Sequence, residues 1–143
     1  MFFGRYFHSM DQKGRMRLPS KLRQDLGDKI HIMQGTPNCL FVFSDAEFNE
    51  FASRLVEVSV FDEKKQKPVR QLLSSGVVIE EDSQGRFLLP QYLRNFAKLE
   101  KDIVFVGVGK RIELWSQEVW DEVNAMSDEE YSTALSVLAD MGF

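Results

Sequence analysis

Two arginines in this chain, Arg15 and Arg86, each stand four residues after an aspartate and directly after a glycine. The surrounding segments read DQKGRMRLP over residues 11–19 and DSQGRFLLP over residues 82–90. A guanidinium group can form two parallel hydrogen bonds with a phosphate group or with the O6 and N7 atoms of guanine. An aspartate across a tight turn could orient that group. The motif therefore indicates either recognition of a polyanion or a salt bridge that only closes a hairpin.

The positive charge is concentrated at the start of the chain, although the formal net charge is −4. Residues 1–23 contain six basic residues and one acidic residue, whereas residues 117–143 contain seven acidic residues and no lysine or arginine. A basic patch on an acidic protein is typical of a surface that binds a polyanion, and simple solvation of a chain end is the alternative. The basic residues of the first segment are Arg5, Lys13, Arg15, Arg17, Lys21 and Arg23.

The composition argues against several other classes of protein. Hydrophobic residues make up 43% of the 143 residues and charged residues 28%, which excludes a wholly disordered chain. No apolar run approaches the ~20 residues of a membrane helix, and the first residues lack the pattern of a secretory signal. Cys39 is the single cysteine and cannot form a disulfide within the chain, so we expect a cytoplasmic protein that does not bind membranes.

No group of residues has the spacing of a catalytic or metal-binding site. His8 and His31 are the only histidines, and neither lies beside a nucleophile motif or a cluster of metal ligands. Residues 107–110 resemble part of a phosphate-binding loop, but the earlier glycine and the following serine or threonine are missing. We therefore expect no catalytic residue, no metal, no cofactor and no enzymatic activity.

The two arginine motifs belong to a longer internal repeat. The offset between the copies is 71 residues at the motif and 72–73 residues in the segments that follow, as small differences in loop length would produce. Each unit spans roughly fifty residues, which is too few for a comfortable independent core. We therefore predict that the two units bury their apolar faces against each other in one globule.

The apolar pattern predicts the same elements in both units. In the first unit these are a strand over 6–10, a turn over 11–14, a strand over 15–18, a short helix after Pro19, strands over 30–33 and 39–43, and a helix that begins at the capping box 44–47. On a strand over 15–18 the two arginines share one face. The turn residues are Asp11 and Gly14 in the first unit and Asp82 and Gly85 in the second, with each glycine free to adopt positive φ.

These patterns divide the chain into four segments: a first repeat with its following helix over 1–58, a connecting helical segment over 59–76, a second repeat over 77–125, and an acidic tail helix over 126–143. The tail helix carries an apolar stripe that includes Tyr131, Leu135 and Leu138, and the helix after residue 44 carries another that includes Phe48. Each stripe either packs on this chain or contacts a neighbouring copy.

The duplicated Asp-x-x-Gly-Arg motif with its following Leu-Pro resembles the MraZ family, as do the opening Phe-x-Gly and the Ile-Glu-Leu-Trp segment at 112–115. The resemblance covers residues 2–125. It implies a β-dominated α+β fold in which two AbrB-like swapped-hairpin repeats, similar to those of MazE, form one double-split β-barrel with flanking helices.

The resemblance also implies a function. It implies a transcriptional regulator of the bacterial division and cell-wall gene cluster, including its own operon. The expected partners are double-stranded DNA with G-rich direct repeats upstream of that operon, and further copies of the chain in a ring-shaped homo-oligomer. Such a protein would be associated with the nucleoid. The DNA-contacting arginine of the family corresponds here to Arg15 and Arg86.

From the residues themselves we expect Arg15 to read bases, while Arg5, Lys13, Arg17, Lys21 and Arg23 contact phosphates. The second copy is weaker, because Gln84 replaces Lys13 and Leu88 replaces Arg17. Arg86 is therefore a DNA contact, a structural residue or a contact to a neighbouring protomer. The alternative functions are an oligomeric scaffold and an antitoxin-like module that binds a partner protein.

Overall fold

The computed structural model describes all residues from 1 to 143 and contains eight strands and six helices. In chain order the elements are β1 (Phe2–Ser9), β2 (Met16–Arg17), α1 (Ser20–Leu26), β3 (Ile30–Gln34), β4 (Leu40–Ser44), α2 (Asp45–Leu55), α3 (Glu63–Ser74), β5 (Val77–Val78), β6 (Arg86–Phe87), α4 (Gln91–Phe96), β7 (Asp102–Gly109), β8 (Ile112–Ser116), α5 (Gln117–Asn124) and α6 (Asp128–Asp140). None of the helices combines the length and the apolar composition needed to cross a bilayer.

The two repeats exchange their first strands. Six strands form an antiparallel sheet in the order β1-β7-β8-β4-β3-β5. In this order β1 of the first repeat pairs with β7 of the second, and β5 of the second repeat pairs with β3 of the first. Neither repeat therefore completes its own part of the sheet, because each supplies an edge strand to the other.

A pseudo-two-fold axis relates the repeats. At the centre of the sheet β4 pairs with β8, with Phe41 opposite its repeat equivalent Glu113. β2 pairs with β6 in a separate two-stranded sheet, where Met16 lies opposite its repeat equivalent Phe87. Equivalent positions thus face each other at both pairings, as a two-fold axis through them requires.

The core is shared between the repeats. One cluster of 19 buried residues takes ten members from residues 2–42 and nine from residues 87–114. Met16 and Phe87 are each only 2% exposed and lie in this cluster. Full burial of an apolar side chain of this size contributes about 1.5–3 kcal/mol. A large part of that contribution depends on the other repeat, and the prediction of one globule from two units is confirmed.

The predicted elements are present, but several differ in length from the prediction. β1 begins four residues earlier than expected, because β7 offers partners along its whole length. β2 is reduced to Met16 and Arg17, since only these two residues find partners in β6. The α+β class with a large antiparallel sheet is confirmed, whereas the closed double-split barrel and the four segment boundaries stay predictions.

The apolar stripe of α2 is used within the chain. The ring of Phe48 stacks on His31 with 4.1 Å between centroids, and Phe51 stacks on Phe43 at 5.0 Å. His31 also makes a hydrogen bond of 2.8 Å through Nε2 with the Asp45 carboxylate at the start of α2. By contrast, Tyr131, Leu135 and Leu138 on α6 are 56%, 42% and 47% exposed.

Cys39 lies in a small second cluster of buried residues with Trp115 and Val119. Burial raises the pKa of its thiol to about 12. The thiolate is the reactive form of cysteine, so this residue is a packed and inert side chain at neutral pH.

The backbone of the exchanged strand β1 lies very close to β7 at Gly107. A Cβ at this position would lie 2.3 Å from the backbone nitrogen of Phe3 and 2.6 Å from the carbonyl carbon of Phe2. We predict that Gly107→Ala lowers the free energy of unfolding by about 1–3 kcal/mol, because the backbone of β1 must move away. Urea denaturation measures this change. Gly76→Ala is the control, since its Cβ meets only ordinary contacts beginning at 3.4 Å. Equal effects of the two substitutions would contradict the prediction.

Candidate nucleic-acid interface

A short ribbon carries the arginine motifs on the outside of the molecule. We define the β2–β6 ribbon as residues 15–17 and 86–88, paired antiparallel with Met16 opposite Phe87 and Arg17 opposite Arg86. Met16 and Phe87 point into the core. Because side chains alternate along a strand, Arg15 and Arg17 share the outward face with Arg86.

The turn before β2 holds Arg15 through the Asp11 carboxylate. Asp11 Oδ1 accepts hydrogen bonds from the backbone N–H groups of Lys13 and Arg15, each at 2.9 Å. Its Oδ2 accepts from Nε of Arg15 at 2.7 Å. The two backbones are also joined, since Asp11 N–H donates to the carbonyl of Arg15 at 2.9 Å.

The second turn reproduces this arrangement group by group. Asp82 Oδ1 accepts from the backbone N–H groups of Gln84 and Arg86 at 2.9 Å, and Oδ2 accepts from Nε of Arg86 at 2.9 Å. We call each set of hydrogen bonds from the aspartate to the turn and to Nε of the arginine a clamp; in both copies the two terminal nitrogens of the guanidinium make no hydrogen bond within the protein. Those nitrogens are the ones that a phosphate or a guanine edge can engage.

Each turn requires its glycine. Gly14 has φ +83° and Gly85 has φ +76°, in the left-handed region that side chains with a Cβ rarely adopt. Gly14 has a second constraint, because a Cβ there would lie 2.9 Å from Nη1 of Arg94. Arg94 on α4 therefore reaches the first turn, where it lines a cleft with Lys13 and Asp11.

The clamps keep both carboxylates ionised. Partial desolvation raises the pKa of Asp11, but the hydrogen bonds from the Arg15 backbone, the Arg15 guanidinium and the Lys13 backbone outweigh it, so that the pKa is below its usual value. For Asp82 the backbone N–H of Arg86 has the largest effect and lowers the pKa. The hydrogen bonds from Gln84 and from the Arg86 guanidinium lower it further, against a smaller effect of desolvation.

Three guanidinium groups line one cleft. Arg15, Arg17 and Arg86 surround an open cleft of about 380 Å³, together with Asp11 and with His8 and Ser9 from the end of β1. The side chains of Arg15 and Arg86 are 31% and 26% exposed. Like charges directly opposite each other destabilise a strand pair, and Arg17 lies opposite Arg86. The cleft is thus suited to an anionic or strongly hydrogen-bond-accepting ligand.

Arg17 is tied to the turn of the other repeat. Its Nε donates to the backbone carbonyl of Gln84 at 2.9 Å, and its Nη2 donates to the side-chain oxygen of Gln84 at 3.4 Å. This contact orients Arg17 along the ribbon and joins the two turns across the pseudo-two-fold axis.

The other predicted phosphate contacts divide into two groups. Lys13 at the tip of the first turn and Lys21 on α1 are exposed and make no ion pair. Arg5 lies outside the cleft, with its guanidinium carbon 5.7 Å from the ring centroid of Trp120. Arg23 forms a bidentate ion pair with Glu81, with Nη2 2.7 Å and Nε 3.0 Å from Oε1. It also donates to the carbonyl of Gly27, so its charge is engaged within the protein.

Sequence reasoning missed the residues that act on the arginines across the exchange. The sequence marks Gln84 only as the residue that replaces Lys13, and it gives no sign that Glu81 contacts Arg23 or that Arg94 lies beside the first turn. Gln84, Glu81 and Arg94 each lie 58 or more residues from the residue that they contact. Only the alignment of the two repeats could have indicated these contacts from the sequence.

Comparisons with known proteins agree with this duplicated architecture. A family model described as MraZ protein and as antitoxin-like matches residues 1–71 and again residues 72–139. The chain is 41% identical over 128 residues, 90% of each chain, to a protein of Caldanaerobacter subterraneus named transcriptional regulator MraZ. Proteins of the same name from Thermoanaerobacter and Clostridium botulinum are 38% and 39% identical over 99% of each chain. None of these names describes an enzyme.

The lowered pKa values of the clamps predict an acid-sensitive hairpin. A carboxylate whose pKa is lower in the folded than in the unfolded state stabilises the fold above its ordinary pKa near 3.9, and this stabilisation is lost as the pH falls through the folded value. We predict that Asp11→Asn lowers the free energy of unfolding at pH 5. Between pH 5 and pH 2.5 this free energy should fall less for the variant than for the native protein. Urea denaturation at several pH values measures both effects. Asp82→Asn should behave alike, and parallel pH profiles for native and variant proteins would contradict the prediction.

Proposed function

This chain belongs to the MraZ family, and from that premise we propose that it is a sequence-specific, DNA-binding transcriptional regulator that reads DNA through the β2–β6 ribbon. The observation that carries the proposal is the doubled clamp, in which Asp11 and Asp82 hold Nε of Arg15 and Arg86 and leave the terminal nitrogens free. Its relatives are named transcriptional regulators, which supports the same conclusion.

The dimensions and chemistry of the ribbon suit the major groove. A two-stranded β-ribbon fits within the width of that groove, and arginine paired with the O6 and N7 atoms of guanine is the commonest specific contact made there. An arginine fixed at Nε is pre-oriented, so less side-chain freedom is lost on binding. We therefore assign base reading to Arg15 and Arg86, which matches a G-rich site.

The exposed cations beside the ribbon supply phosphate contacts. Lys13 and Lys21 carry no internal partner and are suited to this role, as is Arg17 at the edge of the cleft. Arg5 on β1 is a more distant contact. Arg23 contributes indirectly, since its ion pair with Glu81 joins α1 to the segment before the second turn.

A ring of several copies would give the ribbon the affinity that one protomer lacks. Once one ribbon is bound, the next binds its repeat at a high effective concentration, so spaced direct repeats upstream of the protein's own operon are suitable targets. The exposed apolar stripe of α6 supports self-association, because Tyr131, Leu135 and Leu138 stay exposed within the protomer. A protein bound to such sites is associated with the nucleoid. The exchange of strands between repeats supports the swapped-hairpin, double-split barrel as the unit of this ring.

Arg15→Ala tests the base-reading role. We predict an affinity loss of about 5- to 150-fold for DNA from upstream of the protein's own gene, since one bidentate guanine contact discriminates by about 1–3 kcal/mol. The native protein should bind this DNA more tightly than scrambled DNA of equal length, and the variant should lose most of that preference. Fluorescence anisotropy at two salt concentrations measures both. Arg54→Ala, which removes an exposed arginine on α2, is the matched control.

Lys13→Ala tests the phosphate-contact role and should act differently. It should weaken binding to both DNAs to the same extent and should reduce the slope of log affinity against log salt by about 0.9. If the native protein does not distinguish the two DNAs, the regulator proposal fails and the scaffold or partner-binding alternative takes its place. If Arg15→Ala changes the size of the assembly, Arg15 is an interface residue.

The ring itself is tested on α6. We predict that Leu138→Asp reduces the assembly to smaller species, because a charge enters the apolar stripe, while the helix content of the protein is retained. Light scattering coupled to gel filtration measures the mass, and circular dichroism measures the helix content. Thr133→Asp adds the same charge on the opposite face of α6 and should leave the mass unchanged. An unchanged mass for Leu138→Asp would show that α6 does not hold the copies together.

A further inference from the structure

The ribbon is not symmetric, although the fold that presents it is. On the premise that the β2–β6 ribbon binds DNA, we propose that Leu88 and Arg17 give each protomer a direction on the duplex, and that Leu88 contacts the 5-methyl group of a thymine. One protomer would then read a site that differs from its own reverse complement.

The outward face of the ribbon has four positions that the pseudo-two-fold axis relates in pairs. Arg15 is equivalent to Arg86, and Arg17 is equivalent to Leu88. The register places Arg17 opposite Arg86 and, continued by one residue, Leu88 opposite Arg15. One end of the face therefore carries two guanidinium groups, and the other end carries one guanidinium group and one leucine.

The surrounding charges follow the same asymmetry. Three further cations of the first repeat have neutral equivalents at an offset of 71 residues: Arg5 with Gly76, Lys13 with Gln84, and Lys21 with Tyr92. At these three pairs of positions, only the first repeat offers a phosphate contact. If the duplex bound in the opposite orientation, the phosphates that contact these cations would face neutral side chains instead.

Leu88 is placed to contact a ligand of the ribbon. It is 54% exposed, although the residues beside it, Phe87 and Leu89, are almost completely buried. Its Cδ1 lies 3.3 Å from the position of a Cβ on Gly14, so the side chain lies against the first turn. Arg17 makes the corresponding contact to the second turn through hydrogen bonds to Gln84. Leu88 and Arg17 thus each contact the turn of the other repeat, Leu88 with an apolar side chain and Arg17 with a charged one.

The two ends of the ribbon differ in the groups of the DNA that they can contact. A symmetric module placed on a duplex reads a palindrome, because the axis of the protein coincides with an axis of the DNA. Here that symmetry is broken within one protomer. The thymine methyl group is the one apolar feature of the base edges in the major groove, and an exposed leucine opposite Arg15 is suited to contact it.

The first experiment selects bound sequences from duplexes with a random window of ten base pairs, using the full-length native protein. The expected motif is asymmetric and contains guanines and a thymine. Leu88→Arg and Arg17→Leu each make the two ends of the ribbon alike, from opposite directions. Both should select motifs closer to their own reverse complement, while Leu88→Arg raises affinity and Arg17→Leu lowers it.

The second experiment removes the methyl group from the DNA. In the motif selected by the native protein, thymine is replaced by uracil, and binding is measured by fluorescence anisotropy. The native protein should lose affinity by about four-fold, the equivalent of one buried methylene-sized group. Leu88→Ala should show no difference between the two DNAs. Circular dichroism shows whether each variant is folded.

The outcomes separate this inference from the proposed function. If the native protein selects no motif, sequence-specific DNA binding fails and the inference fails with it. If the native motif is its own reverse complement, or if both symmetrised variants keep the native asymmetric motif, the direction is not set by Leu88 and Arg17, whereas DNA reading stands. If uracil substitution affects the native protein and Leu88→Ala equally, the methyl contact is excluded.

Discussion

The exchange of edge strands between the two repeats is the constraint on which the rest of the structure depends. A unit of roughly fifty residues cannot bury enough apolar surface to fold well alone. Pairing β1 with β7 and β5 with β3 gives both units one core, in which residues 2–42 and 87–114 contribute almost equally. The same exchange brings β2 and β6 together at the pseudo-two-fold axis. The arginine face is therefore a product of the shared core and of neither repeat separately.

At that axis the protein holds positive charges close together. Arg17 lies opposite Arg86, and a strand pair with like charges in this position is less stable than one with neutral residues. The carboxylates of Asp11 and Asp82 and the carbonyl of Gln84 offset part of this repulsion without occupying the terminal nitrogens of Arg15 and Arg86. A retained repulsion of this kind is understandable at a surface whose ligand supplies the missing negative charge.

Acidic and basic surfaces are separated along the chain, which lets a protein with net charge −4 present a basic face. The two apolar stripes also have different roles. The stripe of α2 stacks on His31 and Phe43 within the protomer, whereas Tyr131, Leu135 and Leu138 on α6 stay exposed. The proposed DNA-reading face and the proposed contact between copies thus lie on different elements, so each can be altered without the other.

The sequence by itself determined what depends on neighbours along the chain. The repeat is visible in the sequence alone, and the glycine-containing turns, the clamps between Asp11 and Arg15 and between Asp82 and Arg86, and the cap at Ser44 all join groups at most four residues apart. Only the tertiary structure decided which cations are free. Arg23 was expected to contact phosphate, but Glu81, 58 residues away, engages it, and Gln84, 67 residues away, orients Arg17. The shortening of β2 to two residues and the position of Arg94 at the first turn were decided in the same way. The physical reason is that local hydrogen bonds form wherever the backbone makes the turn, whereas these contacts exist only after the repeats have exchanged strands.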